Sequence, residues 1–109
     1  MALLNGLVRS LIEHEHIKTT ETRAKEVRGI AEKVITTAKK GLGEGNEHGV
    51  HARREARRIL NSEDLVKRLF DTVAPKFADR PGGYTRITKI GMRRGDAARM
   101  VKLELAYEE

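Results

Sequence analysis

The segment between Thr20 and Gly41 constrains the fold most, because its apolar residues recur every three or four positions. That spacing places them on one face of an α-helix. The positions concerned are Ala24, Val27, Ala31, Val34, Ile35 and Ala38. Thr20 or Thr22 can cap the start of the helix. Lys39 and Lys40 suit the negative end of the helix dipole, and Gly41 can terminate the helix. Since the apolar spacing, the capping threonine and the terminating glycine agree, the segment predicts an amphipathic helix.

Three further helices follow from the same spacing. The first helix is expected to end near His14. Its apolar positions are Leu3, Leu4, Leu7, Val8, Leu11 and Ile12. The third is expected from about Val50 to Leu60. The fourth follows a cap at Asn61 or Ser62 and is expected to end at Pro75, because proline interrupts helical hydrogen bonding. Its apolar positions are Leu65, Val66, Leu69, Phe70 and Val73.

The remaining regular segments have the pattern of β-strands. β-Branched residues favour a short strand at Ile17 to Thr20. Apolar and other residues alternate strictly near the C-terminus, which predicts a strand whose buried side is Val101, Leu103, Leu105 and Tyr107. The run from Tyr84 to Ile90 should pair with it as an antiparallel hairpin. Ile87 and Ile90 fall on opposite sides of that run, and a bulge would reconcile them.

The positive charge of the chain is concentrated between Lys76 and Lys102. This window holds eight basic and two acidic residues, a surplus that equals the formal net charge of the whole chain, +6. The predicted hairpin loop, Gly91 to Arg99, lies inside the window and carries Arg93 and Arg94 at its tip. A concentrated positive field on an otherwise neutral chain is expected of a protein that binds a phosphate backbone.

A second basic cluster lies on the third helix. At 100° per residue, one side of this helix is basic and consists of Arg53, Arg54, Arg57 and Arg58. The opposite side is apolar and consists of Ala52, Ala56, Ile59 and Leu60. Like charges four residues apart destabilise an isolated helix by a few tenths of a kcal/mol, about 0.2–0.5, per pair. A sequence that accepts this cost is expected to have an anion facing the basic side.

The sequence contains no recognisable catalytic set. Its only serines are Ser10, inside the first helix, and Ser62, a helix cap, and the glycine-rich phosphate-loop motifs are absent. We therefore expect no enzyme activity, no cofactor and no small-molecule substrate. The chain has no cysteine, which excludes a disulfide framework. The apolar start, Ala2 to Ile12, is too short to span a bilayer and lacks a basic leader, so we expect a cytoplasmic protein.

Two local patterns have a plainer interpretation than their functional one. His48 and His51 follow Glu44 and Glu47, but a structural zinc site needs four convergent ligands, usually with cysteine among them. Solvated or hydrogen-bonded histidines are therefore the favoured interpretation. The sequence RGD at 94–96 matches a tripeptide of cell-adhesion ligands. A turn in which glycine takes a positive φ and the aspartate caps the loop backbone is the simpler explanation.

The basic clusters leave three kinds of partner open. Folded RNA is favoured, since the chain has only two tyrosines, two phenylalanines and no tryptophan to build an aromatic hot spot or a base-stacking platform. A protein–protein adaptor that docks an acidic partner is the alternative from another class. A free DNA-binding protein is the third possibility, although no helix pair joined by a short glycine turn suggests a recognition helix.

Several segments of the chain resemble one known family. They are LVRSLIEHEHIKTTETRAKEVR at 7–28, HARREA at 51–56, LVKRLFDTVAPKFADRPGGYTRITKIG at 65–91 and RRGDAA at 93–98. PGGYTR followed by RRGD at this spacing is a specific signal. Over nearly its whole length the chain resembles the bacterial large-ribosomal-subunit protein seventeen family.

The resemblance implies an α+β, two-layer fold in which four helices pack on one face of a small mixed sheet that ends in a C-terminal antiparallel hairpin. We expect a single domain over 1–109, with a flexible loop at 41–49 that looks longer than the shortest family versions. The resemblance also implies binding to large-subunit ribosomal RNA beside neighbouring ribosomal proteins near the peptide exit tunnel. Family members usually carry a basic extension before the first helix. This sequence begins inside that helix, so contacts from such an arm are expected to be missing.

The residues and the resemblance together predict RNA binding through two surfaces, the basic hairpin loop and the arginine face of the third helix, which the apolar helices hold rigid relative to one another. Their predicted members are Arg53, Arg54, Arg57, Arg58, Arg80, Tyr84, Arg86, Lys89, Arg93, Arg94 and Arg99. Tyr84 could stack on a base, although packing against the sheet is its favoured role. The interpretation would fail if Arg93 and Arg94 were held in intramolecular ion pairs, far from the arginines of the third helix.

Overall fold

A computed structural model of the chain describes residues 2–42 and 47–107. Its first three helices are α1 (Ala2–His14), α2 (Glu21–Gly41) and α3 (Glu47–Leu60). A fourth helix spans 63–76; its first part is labelled α4 (Glu63–Arg68) and its last part α5 (Ala74–Lys76). Its strands are β1 (His16–Thr20), β2 (Thr85–Met92) and β3 (Arg99–Leu105). The buried side chains of helices and strands form one apolar cluster between the two layers. The predicted α+β class and the C-terminal hairpin are confirmed.

Helix α2 holds the two layers together, because it contacts α1, α3, the fourth helix and all three strands. Its six predicted apolar positions are all buried. Thr20, rather than Thr22, is the cap, since its Oγ1 accepts a hydrogen bond from the backbone N–H of Arg23 at 3.3 Å. Gly41 is the last helical residue. A Cβ atom on Gly41 would lie 2.7 Å from the Cβ of Ala52, so glycine is what allows α3 to approach this closely.

The sheet is antiparallel, which corrects the expectation of a mixed sheet. Its strand order is β1-β3-β2, and β3 pairs antiparallel with both neighbours. Strands β1 and β2 run in the same direction but do not pair, because β3 lies between them. The register of β2 shifts between Lys89 and Gly91, which is the irregularity expected from the parity of Ile87 and Ile90. The shift does not bring Ile90 into the core, since its side chain is 51% exposed.

The fourth helix is continuous across a proline. Ser62 caps it by accepting a hydrogen bond from the N–H of Leu65 at 3.3 Å, whereas Asn61 adopts a left-handed φ of 47°. A π-helical segment at Leu69–Val73 precedes α5, and the helix ends at Lys76. The predicted end at Pro75 is therefore wrong by one residue. The wider π turn makes room ahead of Pro75, whose ring otherwise clashes with the preceding turn.

Both predicted loops are shorter than expected. Helix α2 includes Gly41 and α3 begins at Glu47, so the ends of the segment predicted as a flexible loop at 41–49 are helical, and 43–46 lie outside the described residues. Strand β2 extends through Met92 and β3 begins at Arg99, which leaves 93–98 as the hairpin loop in place of 91–99. Among the helices that the structure describes, none combines the length and apolar character that a membrane crossing requires.

Candidate nucleic-acid interface

The arginines of α3 lie on its solvent face, as the helical period predicts. The buried face packs against the other helices and consists of Ala52, Ala56 and Leu60. The exposed face carries Arg53, Arg54, Arg57 and Arg58. The guanidinium of Arg53 lies over the ring of Phe70, 4.5 Å from its centroid. Arg54 forms no ion pair with any carboxylate in the described part of the chain.

The last two arginines of α3 are neutralised by nearby carboxylates. Arg57 donates to Glu63 at the start of the fourth helix, and its Nη2 lies 3.3 Å from Glu63 Oε2. Arg58 donates to Glu55, one turn earlier, at 3.2 Å. All four side chains are substantially exposed, and such surface pairs contribute about 0–1 kcal/mol each. Each pair is therefore weak, but an RNA phosphate must displace the carboxylate before it can contact the arginine.

The hairpin tip is a turn closed by its own hydrogen bonds. The N–H of Arg93 donates to the carbonyl of Ala98 at 2.8 Å, and the N–H of Ala97 donates to the carbonyl of Arg93 at 3.0 Å. Gly95 has a φ of 98°, and Asp96 Oδ1 accepts the N–H of Ala98 at 3.2 Å. The turn therefore has the glycine and the aspartate cap that the simpler interpretation of RGD predicts.

Arg93 is paired within this turn. It donates to both carboxylate oxygens of Asp96, at 2.6 Å from Nη2 and 3.2 Å from Nε. The hydrogen bond from Arg93, followed by that from the backbone of Ala98, lowers the pKa of Asp96 to about 2. The same hydrogen bond raises the pKa of Arg93. At neutral pH both groups are charged, and Asp96 cancels one cation of the tip.

Other cations of the hairpin have no such partner. Lys89, Arg94 and Arg99 are exposed, and none of them forms an ion pair with a carboxylate among residues 2–42 and 47–107. Arg86 differs, because its Nη2 lies 2.9 Å from Glu104 Oε1 on the neighbouring strand. The free positive charge of the hairpin therefore lies at its tip and on the adjoining parts of the strands, whereas the cation at its root, Arg86, is paired.

Two predicted site residues are structural. Tyr84 is only 2% exposed, and its hydroxyl accepts a hydrogen bond from Lys39 at 2.9 Å. Burial alone would raise the pKa of Tyr84, but hydrogen bonding with Lys39 holds it below its ordinary value. Arg80 is half-buried and donates to the backbone carbonyls of Gly83 and Ala106. The structure therefore corrects the assignment of Tyr84 and Arg80 to the RNA-binding surfaces, since both are occupied inside the protein.

The two basic clusters lie at different ends of α2. Glu21, its first residue, lines a cavity together with Lys89 and Arg99 of the hairpin. Val34, thirteen residues further along, lines another with Ala56 of α3. At 1.5 Å per residue, Glu21 and Val34 are roughly 20 Å apart along the axis of α2. Only one of the two tip arginines, Arg93, is in an intramolecular ion pair. The hairpin tip and the arginines of α3 do not form one continuous patch.

Sequence reasoning missed two cations on the sheet, and most of the side chains it considered as metal ligands lie outside the described part of the chain. Lys18 and Lys102 lie on the sheet face away from the helices, and the alternation of exposed and buried residues in β1 and β3 was the signal that could have found them. No group of potential metal ligands occurs among the described residues. His51 is exposed, while Glu44 and the side chains of Glu47 and His48 lie outside the described part of the chain.

Comparisons with known proteins identify the family. The family model of ribosomal protein L17 matches residues 3–106. The chain is 57% identical to the large ribosomal subunit protein bL17 of Desulforudis audaxviator, over 95% of this chain and 87% of that protein. It is 55% identical to the bL17 protein of Desulforamulus reducens, over 95% of this chain and 87% of that protein. It is 54% identical to the bL17 protein of Clostridium botulinum, over 95% of this chain and 86% of that protein. The chain therefore belongs to the ribosomal protein L17 family.

Proposed function

We propose that the chain is a structural constituent of the large ribosomal subunit and that it binds and stabilises folded large-subunit ribosomal RNA. The relatives carry the name large ribosomal subunit protein, and the family is structural rather than enzymatic. The chain accordingly works in the bacterial cytoplasm, within the ribosome. The proposal assigns RNA contact to the hairpin, from Lys89 to Arg99, and to the arginine face of α3.

The observation that carries this proposal is the state of the hairpin cations. Lys89, Arg94 and Arg99 are exposed and lack carboxylate partners among the described residues. Arg94 lies on a turn that its own backbone hydrogen bonds hold in shape, and the other two lie on the strands beside it. Cations that are already positioned lose little conformational entropy on binding an anion. Phosphate contacts of this kind position a protein on RNA and release counterions.

The placement of the aromatic rings supports contacts with phosphates rather than with bases. Phe70, Phe77 and Tyr84 are buried, and Tyr107 packs against the same core. These four are all the aromatic residues of the chain. Binding through stacked bases needs exposed rings. The protein is therefore expected to recognise the backbone and shape of folded RNA.

The hairpin also offers a surface to neighbouring large-subunit proteins. The side chains of Ile90 and Met92 are 51% and 66% exposed, directly beside Lys89. Apolar side chains next to cations suit a contact with another protein at the edge of an RNA surface. We include in the proposal the neighbours near the peptide exit tunnel that the family resemblance implies. The proposed function requires no cofactor and no small-molecule substrate.

Co-sedimentation with large subunits tests the proposal. The full chain is mixed with bacterial large subunits depleted of their own L17 protein, at salt concentrations between about 50 and about 200 mM. We expect the wild type to pellet with the subunits and the Lys89→Ala, Arg94→Ala, Arg99→Ala variant to remain largely in solution. The matched control replaces Lys25, Lys33 and Lys67, three exposed helix lysines, by alanine.

The two variants carry the same net charge, so the comparison isolates the position of the cations. Retention of the control and loss of the hairpin variant support the proposal. A wild-type protein that fails to pellet at the lowest salt, or a hairpin variant that pellets like wild type, contradicts it.

A further inference from the structure

The sheet has an outer face that no described helix covers. Along β1 the residues Ile17 and Thr19 are buried and Lys18 between them is exposed, so Lys18 points away from the helices. Along β3 the same alternation buries Val101, Leu103 and Leu105. The outer face therefore carries residues from all three strands, namely His16, Lys18, Arg86, Thr88, Lys102 and Glu104.

Two like charges lie opposite each other on this face. Lys18 of β1 and Lys102 of β3 are direct partners in the antiparallel register, and Thr88 of β2 completes the row. Side chains in such pairs leave Cβ atoms about 4.5–5.5 Å apart, and like charges in this position destabilise a sheet. The Lys102 side chain is 40% exposed, so both ammonium groups can reach a common anion in solvent.

The neighbouring row neutralises this pair only in part. Glu104 is the central residue of the next row, and its Oε1 lies 2.9 Å from Arg86 Nη2. Its other oxygen lies 3.6 Å from Lys102 Nζ. Hydrogen bonding from Arg86 lowers the pKa of Glu104, which keeps this carboxylate ionised at neutral pH. The single carboxylate of Glu104 thus pairs with two cations, Arg86 and Lys102. Lys18 has no ion pair with a carboxylate in the described part of the chain.

The composition of the face indicates the chemistry of its ligand. None of its residues is aromatic, so it offers no platform for stacked bases. Two ammonium groups on adjacent strands can hold the two anionic oxygens of one tetrahedral phosphodiester, a monoanion, from two sides. β2 and β3 continue from this face to the hairpin tip, so one RNA segment can contact the outer face and the tip together.

We propose that the outer face of the sheet is a further RNA-binding surface, in which Lys18 and Lys102 share one backbone phosphate. This inference rests on the proposed function and adds to it a surface distinct from the hairpin tip and from α3. It explains why a like-charge pair lies across β1 and the central strand β3. The pair lowers the stability of the free protein and is relieved when the phosphate lies between the two lysines.

Filter binding to protein-free bacterial large-subunit ribosomal RNA tests this inference. The Lys18→Gln, Lys102→Gln variant is expected to lower the slope of log K against log salt by about 1, and to bind about tenfold more weakly at about 100 mM salt. Its Tm is expected to equal or exceed that of the wild type, because a repulsive pair has been removed. The matched control, Lys25→Gln with Lys67→Gln, removes two exposed lysines from α2 and α4 and should keep the wild-type slope.

A second variant separates binding from folding. Lys18→Glu places an opposite charge beside Lys102, so we expect a higher Tm together with weaker RNA binding. A wild-type slope in the glutamine variant, or an equal loss in the control, overturns the inference. Normal RNA binding by Lys18→Glu with failure to enter large subunits also overturns it, because the face would then contact a protein. A wild type that does not bind the RNA overturns the proposed function as well.

Discussion

The arginine face of α3 and the β2–β3 hairpin are both rich in cations, but they differ in how much of that charge is free. On α3, Arg57 and Arg58 are paired with carboxylates. Arg53, which lies over the neutral ring of Phe70, and Arg54 have no carboxylate partner among the described residues. On the hairpin, three cations lack a carboxylate partner in the same described part of the chain. They are Lys89, Arg94 and Arg99.

The difference follows from secondary structure. A helix brings residues three and four positions apart next to each other, so Glu55 reaches Arg58, and the following helix places Glu63 beside Arg57. A hairpin tip extends from the body, and its cations can find only partners within the turn, as Arg93 does in Asp96. Counting basic residues in a sequence therefore overestimates the free charge of a helix whose arginines have carboxylates within one turn or at the start of the next helix.

The largest expected effect concerns the packing that positions the α3 arginines. In Gly41→Ala the new Cβ would lie 2.7 Å from the Cβ of Ala52, so α3 must shift. We expect a loss of about 1–3 kcal/mol in the free energy of unfolding, measured by urea denaturation. The control is Gly29→Ala in the same helix, where no atom lies within 4 Å, and it should stabilise by about 0.5–1 kcal/mol.

Gly41→Ala also sharpens the comparison between the two regions. The variant displaces α3 and leaves the hairpin unchanged, so RNA affinity should stay close to that of the wild type. A large loss of RNA affinity in a folded Gly41→Ala protein would show that α3, and not the hairpin, carries the main contact.

The next effect concerns the one paired cation of the tip. Asp96→Asn keeps an oxygen acceptor for the N–H of Ala98 and removes the charge that holds Arg93. With Arg93 released, the salt slope should become steeper by up to about 1 and RNA affinity should rise by up to about tenfold. Weaker binding, measured in the same filter assay, would mean that the intact Arg93–Asp96 pair is what the RNA contacts.

A smaller effect is expected at the root of the hairpin. Tyr84→Phe removes the acceptor of the Lys39 hydrogen bond and should cost about 1 kcal/mol in the free energy of unfolding. RNA affinity should not change, because the ring is buried. Loss of RNA binding with unchanged stability would instead support the base-stacking role that the sequence left open for Tyr84.

The smallest effect is the titration of Asp96 itself. Its pKa in the folded protein is about 2, below its ordinary value, so the stability that its pairing with Arg93 provides is fully present above about pH 4. That contribution is lost as the pH falls through about 2. NMR titration of the Asp96 carboxyl carbon should show this midpoint, and Arg93→Ala should move it upward. An unchanged midpoint in the variant would rule out the ion pair as its cause.

Much of this fold could be predicted from the sequence, because its signals are local. The stripe of α2, the caps Thr20 and Ser62, and the irregular parity of β2 each depend on neighbouring residues only. The antiparallel sheet and the opposition of Lys18 and Lys102 depend on pairing between distant segments, which no local pattern specifies.

The candidate site was predictable only in part, for a related reason. Arginines on an amphipathic helix and at a hairpin tip are exposed by the geometry of those elements, so their exposure could be foreseen. Arg80 and Tyr84 belong to the same basic window, but their burial depends on where α2 and the end of β3 place Lys39 and Ala106 around them. Ion pairing likewise depends on tertiary neighbours.

The most direct test compares the salt dependence of RNA binding in two double variants that remove equal charge. Arg94→Ala with Arg99→Ala takes two unpaired cations from the hairpin, and Arg57→Ala with Arg58→Ala takes two carboxylate-paired arginines from α3. We predict that the hairpin variant lowers the slope of log K against log salt by about 2 and that the α3 variant lowers it by about 1 or less. An α3 variant that loses as much slope as the hairpin variant, or more, would contradict the account.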